Sequence, residues 1–85
     1  MYLNSLGVDK DYNEALKWFK FSANQNNNNA QNNLGYMYEK GLGVDIDYKE
    51  AMKWYKLSAD QNNSHAQCNL GCMYEKGLGV DKDYK

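Results

Sequence analysis

The chain has 85 residues, 42% hydrophobic and 14% aromatic, and its eleven acidic and ten basic side chains leave a net charge of −1. That apolar content is too high for a disordered segment, and near-neutral charge removes the electrostatic case for nucleic acid or a membrane surface. Every basic residue is lysine, so arginine's bidentate grip on phosphate or carboxylate is missing, and no apolar run is long enough to span a bilayer.

Met1–Lys49 lies on Met37–Lys85 without a gap when the sequence is shifted by 36 residues, and about 35 of the 49 aligned pairs are identical. A period of this size means a stacked array rather than one globular core. In that register Met1–Leu3 aligns with the end of a first-type helix, helix A. The opening MYLNSLGVDK lacks the basic and apolar regions of a signal peptide, and the expected location is cytoplasmic. Asp11–Asn24 is a second-type helix, helix B. Its Asp11-Tyr12-Asn13-Glu14 start is a capping box, in which Asp accepts from a free backbone N–H and Glu reaches back. The tract Asn26–Asn29 reads as a loop.

The next helix A spans roughly Asn29–Lys40, with Ala30, Leu34, Met37 and Tyr38 at helical spacing. Gly35 sits in its middle, as Gly71 does one period later. There glycine costs about 1 kcal/mol against alanine, which predicts close approach by a neighbouring helix. Gly41 and Gly43 mark unusual turns, and Val44 fills the space beneath them. Asp47-Tyr48-Lys49-Glu50 starts another helix B. One stripe of that helix, Tyr48, Ala51, Met52, Tyr55 and Ala59, is expected to face its own helix A. A second, Trp54, Leu57 and Ser58, is expected to meet the following unit. Asn26 and Asn62 suit left-handed helix ends. Ala66–Lys76 is a third helix A, and the chain stops just after the cap of a further helix B.

These residues resemble the Sel1-like repeat family, a subclass of the tetratricopeptide-type helical repeats. Its pattern runs A-x3-LG-x2-Y-x2-G-x-GV-x2-D-x3-A-x2-W(Y/F)-x3-A. Ala30, Leu34, Gly35, Tyr38, Gly41, Gly43, Val44, Asp47, Ala51, Trp54, Tyr55 and Ala59 meet it in one full unit. Residues 1–29 form a partial repeat, 30–65 the full repeat and 66–85 another partial one, as in a piece of a longer array. The resemblance implies an all-α superhelix of antiparallel helix pairs, with A helices lining the concave surface. Two repeats without capping units predict marginal stability, Ala30–Lys76 best ordered, and fraying at Met1–Leu6 and Gly79–Lys85.

Comparing the two copies of helix A isolates candidate binding positions. Within Ala30–Lys40 and Ala66–Lys76 only Asn32/Cys68 and Tyr36/Cys72 differ, with Asn29/His65 just before them. Spaced i, i+3, i+7, these form one ridge: Asn29, Asn32 and Tyr36 in one unit, His65, Cys68 and Cys72 in the next. A constant scaffold with a varying ridge is what a partner-reading surface looks like, and Tyr36 is its candidate hot spot. Glu39 and Lys40 read as equally free of packing. Trp18, Trp54, Tyr38, Tyr74, Tyr12 and Tyr48 recur at matching positions and read as core.

Other chemistries fail by inventory. His65, Cys68 and Cys72 offer three metal ligands from one helix face where a structural zinc site wants four, and no fourth Cys or His exists. No metal or cofactor is expected. Two cysteines four apart on a helix are poorly aimed at each other for a disulfide. In one branch of the family disulfides staple the helix pairs, at positions near Ala59 and Gln67 here, neither of which is cysteine. That branch has members described as penicillin-binding or β-lactamase-like, but Ser5, Ser22, Ser58 and Ser64 all lack a Lys three residues on. The expected function is a non-enzymatic protein–protein interaction scaffold or adaptor, its concave face binding a protein or peptide segment. The alternatives are a structural spacer within a larger repeat protein and, behind it, a relative of the penicillin-binding branch.

Overall fold

The computed structural model describes residues 11–79. The Met1–Leu3 alignment, the LGVD copy at Leu6, Val80 and Asp83 of the last copy, and the expected fraying before Leu6 and after Gly79 lie outside the described residues. Four helices follow one another: α1 (Tyr12–Asn24), α2 (Asn28–Lys40), α3 (Tyr48–Ala59) and α4 (Ser64–Lys76). The fold is all-α, and each helix packs on the next in an α–α solenoid.

The ends of the helices follow from local chemistry. Asp11 and Asp47 each accept a 3.0 Å hydrogen bond from the backbone N–H of the Glu three residues on. The reciprocal half of the capping box is absent. Glu50 Oε2 instead accepts from Trp54 Nε1 at 3.0 Å, and Glu14 Oε2 from Trp18 Nε1. The Asp47 N–H that Glu50 would have satisfied already donates to Tyr38 O, 3.0 Å away, so the carboxylate is free for the indole.

The asparagine tract is more than a loop. Asn26 takes φ +69°, and the matching Asn62 +68°, to end helices α1 and α3. Asn27 then caps α2 by accepting from Ala30 N, and Asn63 does the same for α4 with Ala66 N. Asparagine suits both roles because it tolerates the left-handed region and carries a short acceptor. Asn28 and Asn29 are already helical. At the other end of α2, Gly41 takes φ +73° and its N–H returns to Met37 O.

Two core clusters are joined through Tyr38, which packs on both. One holds Ala23, Ala30, Leu34 and Trp54. The other holds Ala51, Met52, Tyr55, Ala66 and Met73. The second stripe of α3 is used on the preceding side, not on the following unit as expected. Trp54 packs back on α1 and α2, and Ser58 Oγ donates to Asn28 O at 2.7 Å. The Ala51–Met52–Tyr55 stripe keeps the expected contact with α2, at Gly35 and Glu39, and also meets α4. Leu57, expected beside Trp54, is exposed. Because α3 uses its indole on the preceding unit, Trp18 of α1 has no such partner among the described residues and is 57% exposed. Tyr74 on α4 is 49% exposed for the complementary reason. Neither is core, contrary to the sequence reading.

The two helical glycines part in the same way. A Cβ built on Gly35 would lie 2.8 Å from two ring carbons of the fully buried Tyr55 and 3.1 Å from Ala51 O. One built on Gly71 meets nothing within 4 Å among the described residues.

Candidate functional site

The predicted ridge begins on the first turn of α2 and α4, which the asparagine caps set in register. Asn29 is exposed, but its Oδ1 accepts from Asn63 Nδ2 at 3.1 Å. Asn32 is half-buried and accepts from Asn69 Nδ2, also at 3.1 Å. Both face the neighbouring unit. Tyr36 is 45% exposed, with Lys40 Nζ 5.8 Å from its ring centroid. It borders a shallow groove with Tyr12, Ala15, Phe19 and Met37. His65, Cys68 and Cys72 are all exposed, and both thiols are free. Among the described residues no three His, Cys, Asp or Glu side chains are grouped to hold a metal ion.

Glu39, expected to be free, is committed to packing. Its side chain is 13% exposed, and its Oε1 accepts from the Tyr55 hydroxyl at 2.7 Å. Burial pushes the Tyr55 hydroxyl far above the usual tyrosine range, and the bond to Glu39 adds to the shift. Tyr55 is therefore a permanent donor, and it fixes α3 against the end of α2.

An amide ladder between units completes the arrangement, and single residues did not announce it. Gln31, 2% exposed, donates to Ala23 O at 3.1 Å and accepts from Gln61 Nε2 at 2.8 Å. Asn63 Nδ2 reaches Asn28 Oδ1 at 2.9 Å as well as Asn29. Buried amides are costly unless paired, so these links hold the register of one unit on the next. A signal was available: Gln25/Gln61, Asn27/Asn63, Gln31/Gln67 and Asn33/Asn69 are identical across the period.

The surface left over is a helical face carrying Tyr36, His65, Cys68 and Cys72. It offers an aromatic ring, an imidazole and two thiols to solvent. Such a face can bind by contact area and hydrogen bonding.

Comparison with known proteins gives consistent findings. The family model described as Sel1 repeat matches residues 1–27, 28–63 and 64–85. A Sel1 repeat protein from Oxalobacter formigenes is 41% identical, with a TM-score of 0.83 over 94% of this chain. The protective antigen c5321 of uropathogenic Escherichia coli, which displays an SLR fold, is 42% identical with a TM-score of 0.85 over 92%. The chain spans 33% of the first protein and 17% of the second. No curated protein matches it.

Proposed function

The chain belongs to the Sel1 repeat family, and we propose that it is a protein–protein interaction scaffold whose A-helix face engages a protein or peptide segment. The supporting observation is the contrast between scaffold and surface in the two A helices. Ala30/Ala66, Leu34/Leu70 and Met37/Met73 are identical and packed, whereas Tyr36/Cys72 differs and is exposed. Stacking fixes one set and leaves the other to change. Tyr36 is the anchor of this face, since a tyrosine supplies apolar area and a hydroxyl at low entropic cost. Cys68, Cys72 and His65 extend it onto α4. Asn29 and Asn32 contribute by holding α4 beside α2.

The role requires no catalytic group. No described helix is long and apolar enough to cross a membrane. The test is partner recovery with the parent chain, with Tyr36→Ser, and with Lys56→Ala on α3 as a control. An adaptor loses partners with Tyr36→Ser at unchanged helical content and keeps them with Lys56→Ala. Identical partner sets from all three proteins would leave the spacer reading standing.

A further inference from the structure

We propose that the seam between α2 and α4 is an amide clamp for the backbone of an extended peptide, with Asn32 donating to a peptide carbonyl and Asn69 accepting from a peptide N–H. The clamp rests on the A-helix face being the binding face, and it fixes the form of the partner. Side-chain amides join α2 to α4 and its cap at successive levels. At the first, Asn63 is saturated: its Oδ1 accepts from Ala66 N, and its Nδ2 donates to Asn28 Oδ1 at 2.9 Å and to Asn29 Oδ1 at 3.1 Å. Asn29 is exposed, and its own Nδ2 has no partner among the described residues. At the next level Asn69 Nδ2 donates to Asn32 Oδ1 at 3.1 Å, both residues being half-buried. That bond leaves Asn32 Nδ2 as a donor and Asn69 Oδ1 as an acceptor, neither with a partner among the described residues. Turning both amides over reverses the bond and leaves the same two kinds of group. The seam therefore shows a donor and an acceptor side by side, which is what a peptide backbone needs.

Neighbouring units do not cover this seam. Each position of helix A occurs twice, in α2 with the following unit stacked on it and in α4 with the preceding one. Asn29 and His65 are exposed in these two settings, and so are Tyr36 and Cys72. Asn32 and Asn69 face each other across the junction itself. Spacing then sets the conformation of the ligand. Asn29, Asn32 and Tyr36 rise about 10.5 Å along α2 at about 1.5 Å per residue, a length that about three residues of extended chain cover at roughly 3.3 Å each. Groups on one edge of such a chain recur every second residue, about 6.6 Å apart, within reach of donors one helical turn apart on Asn29 and Asn32. A helical ligand has no use for the clamp, because its backbone groups are bonded within the helix. An extended segment has both kinds free. Tyr36 lies against a side chain of the segment, so the amides hold the backbone whatever its sequence and the ring selects among sequences. One period on, Cys68 stands where Asn32 does and supplies no comparable donor, so the described residues form the clamp once.

The probes are short linear peptides selected from a displayed library on the parent chain and rejected by Tyr36→Ser. Asn32→Asp keeps the Oδ1 that accepts from Asn69 but replaces the free donor with an oxygen that repels a peptide carbonyl. It should weaken the selected peptides about tenfold or more, one hydrogen bond lost with repulsion added, at an unchanged melting temperature. Asn33→Asp makes the same charge change at the exposed next residue and should bind as the parent does. Methylating the peptide backbone one nitrogen at a time should find one N–H whose loss weakens binding about as much, and that effect should vanish in Asn69→Ala. Asn32→Asp binding like the parent, or equal losses in the two Asp variants, overturns the clamp. So do peptides that turn helical on binding, followed by circular dichroism, or that tolerate methylation at every nitrogen. These results leave the A-helix face standing as the binding face, since binding still needs Tyr36. A library that yields no Tyr36-dependent peptide overturns both.

Discussion

Trp54 and Trp18 occupy the same position in the repeat and bond their Glu neighbours in the same way, yet one is 9% exposed and the other 57%. Gly35 and Gly71 form a second such pair, one pressed against Tyr55 and the other open. Between members of a pair local sequence is nearly constant, so the difference isolates the neighbouring unit. A repeat residue's contribution depends on whether the next unit is stacked on it.

The largest expected effect comes from the tryptophans. Trp54→Ala should cost about 3–5 kcal/mol, the usual range for a large buried side chain, and should abolish the cooperative thermal transition of so short an array. Trp18→Ala should cost less than about 1 kcal/mol. Equal shifts in Tm, followed by circular dichroism, would erase the distinction between inner and outer units.

The glycines should differ in sign. Gly35→Ala introduces a Cβ that Tyr55 and the Ala51 carbonyl cannot easily avoid, so overpacking of about 1–3 kcal/mol should outweigh the helix-propensity gain. Gly71→Ala should gain about 1 kcal/mol, because only propensity acts there. Denaturant melts at low protein concentration separate the two, and a stabilised Gly35→Ala would disprove the close contact.

A smaller effect is expected for Tyr55→Phe, which writes into α3 the residue that α1 carries as Phe19. Losing the hydroxyl bond to the Glu39 carboxylate should cost about 1–2 kcal/mol. The variant also sharpens the pH argument. An unfolded tyrosine ionises near pH 10, whereas buried Tyr55 stays neutral well beyond that. Its contribution is complete below about pH 10 and declines as pH rises further, since the unfolded chain then releases a proton the folded one keeps. The stability gap between parent and Tyr55→Phe should narrow above about pH 10; a gap that widens there would contradict the bond.

The smallest change concerns the amide ladder. Asn32→Ala should cost about 0.5–1.5 kcal/mol, the net worth of one hydrogen bond. The same cost should appear for Asn69→Ala, and the double variant should be no worse than either single one. Strict additivity in that cycle would show that the two side chains do not interact.

Much of this molecule was legible in its residues. The 36-residue period specified four helices, and the Asp caps and the left-handed Asn26, Asn62, Gly41 and Gly43 placed their ends. These features are local: each depends on backbone preference or on a hydrogen bond reaching three or four residues. The candidate face was only partly legible. Helical spacing groups Asn29, Asn32 and Tyr36 on one ridge, but could not tell that two of the three would be bonded across to the following unit. What the sequence determined alone is what its own turn of chain could satisfy, namely helices, caps and period. The tertiary structure decided which way Trp54 points, why Gly35 is crowded and Gly71 is not, and which asparagines remain free. Those depend on partners 16 to 37 residues away, and a residue type carries no record of what will be stacked upon it.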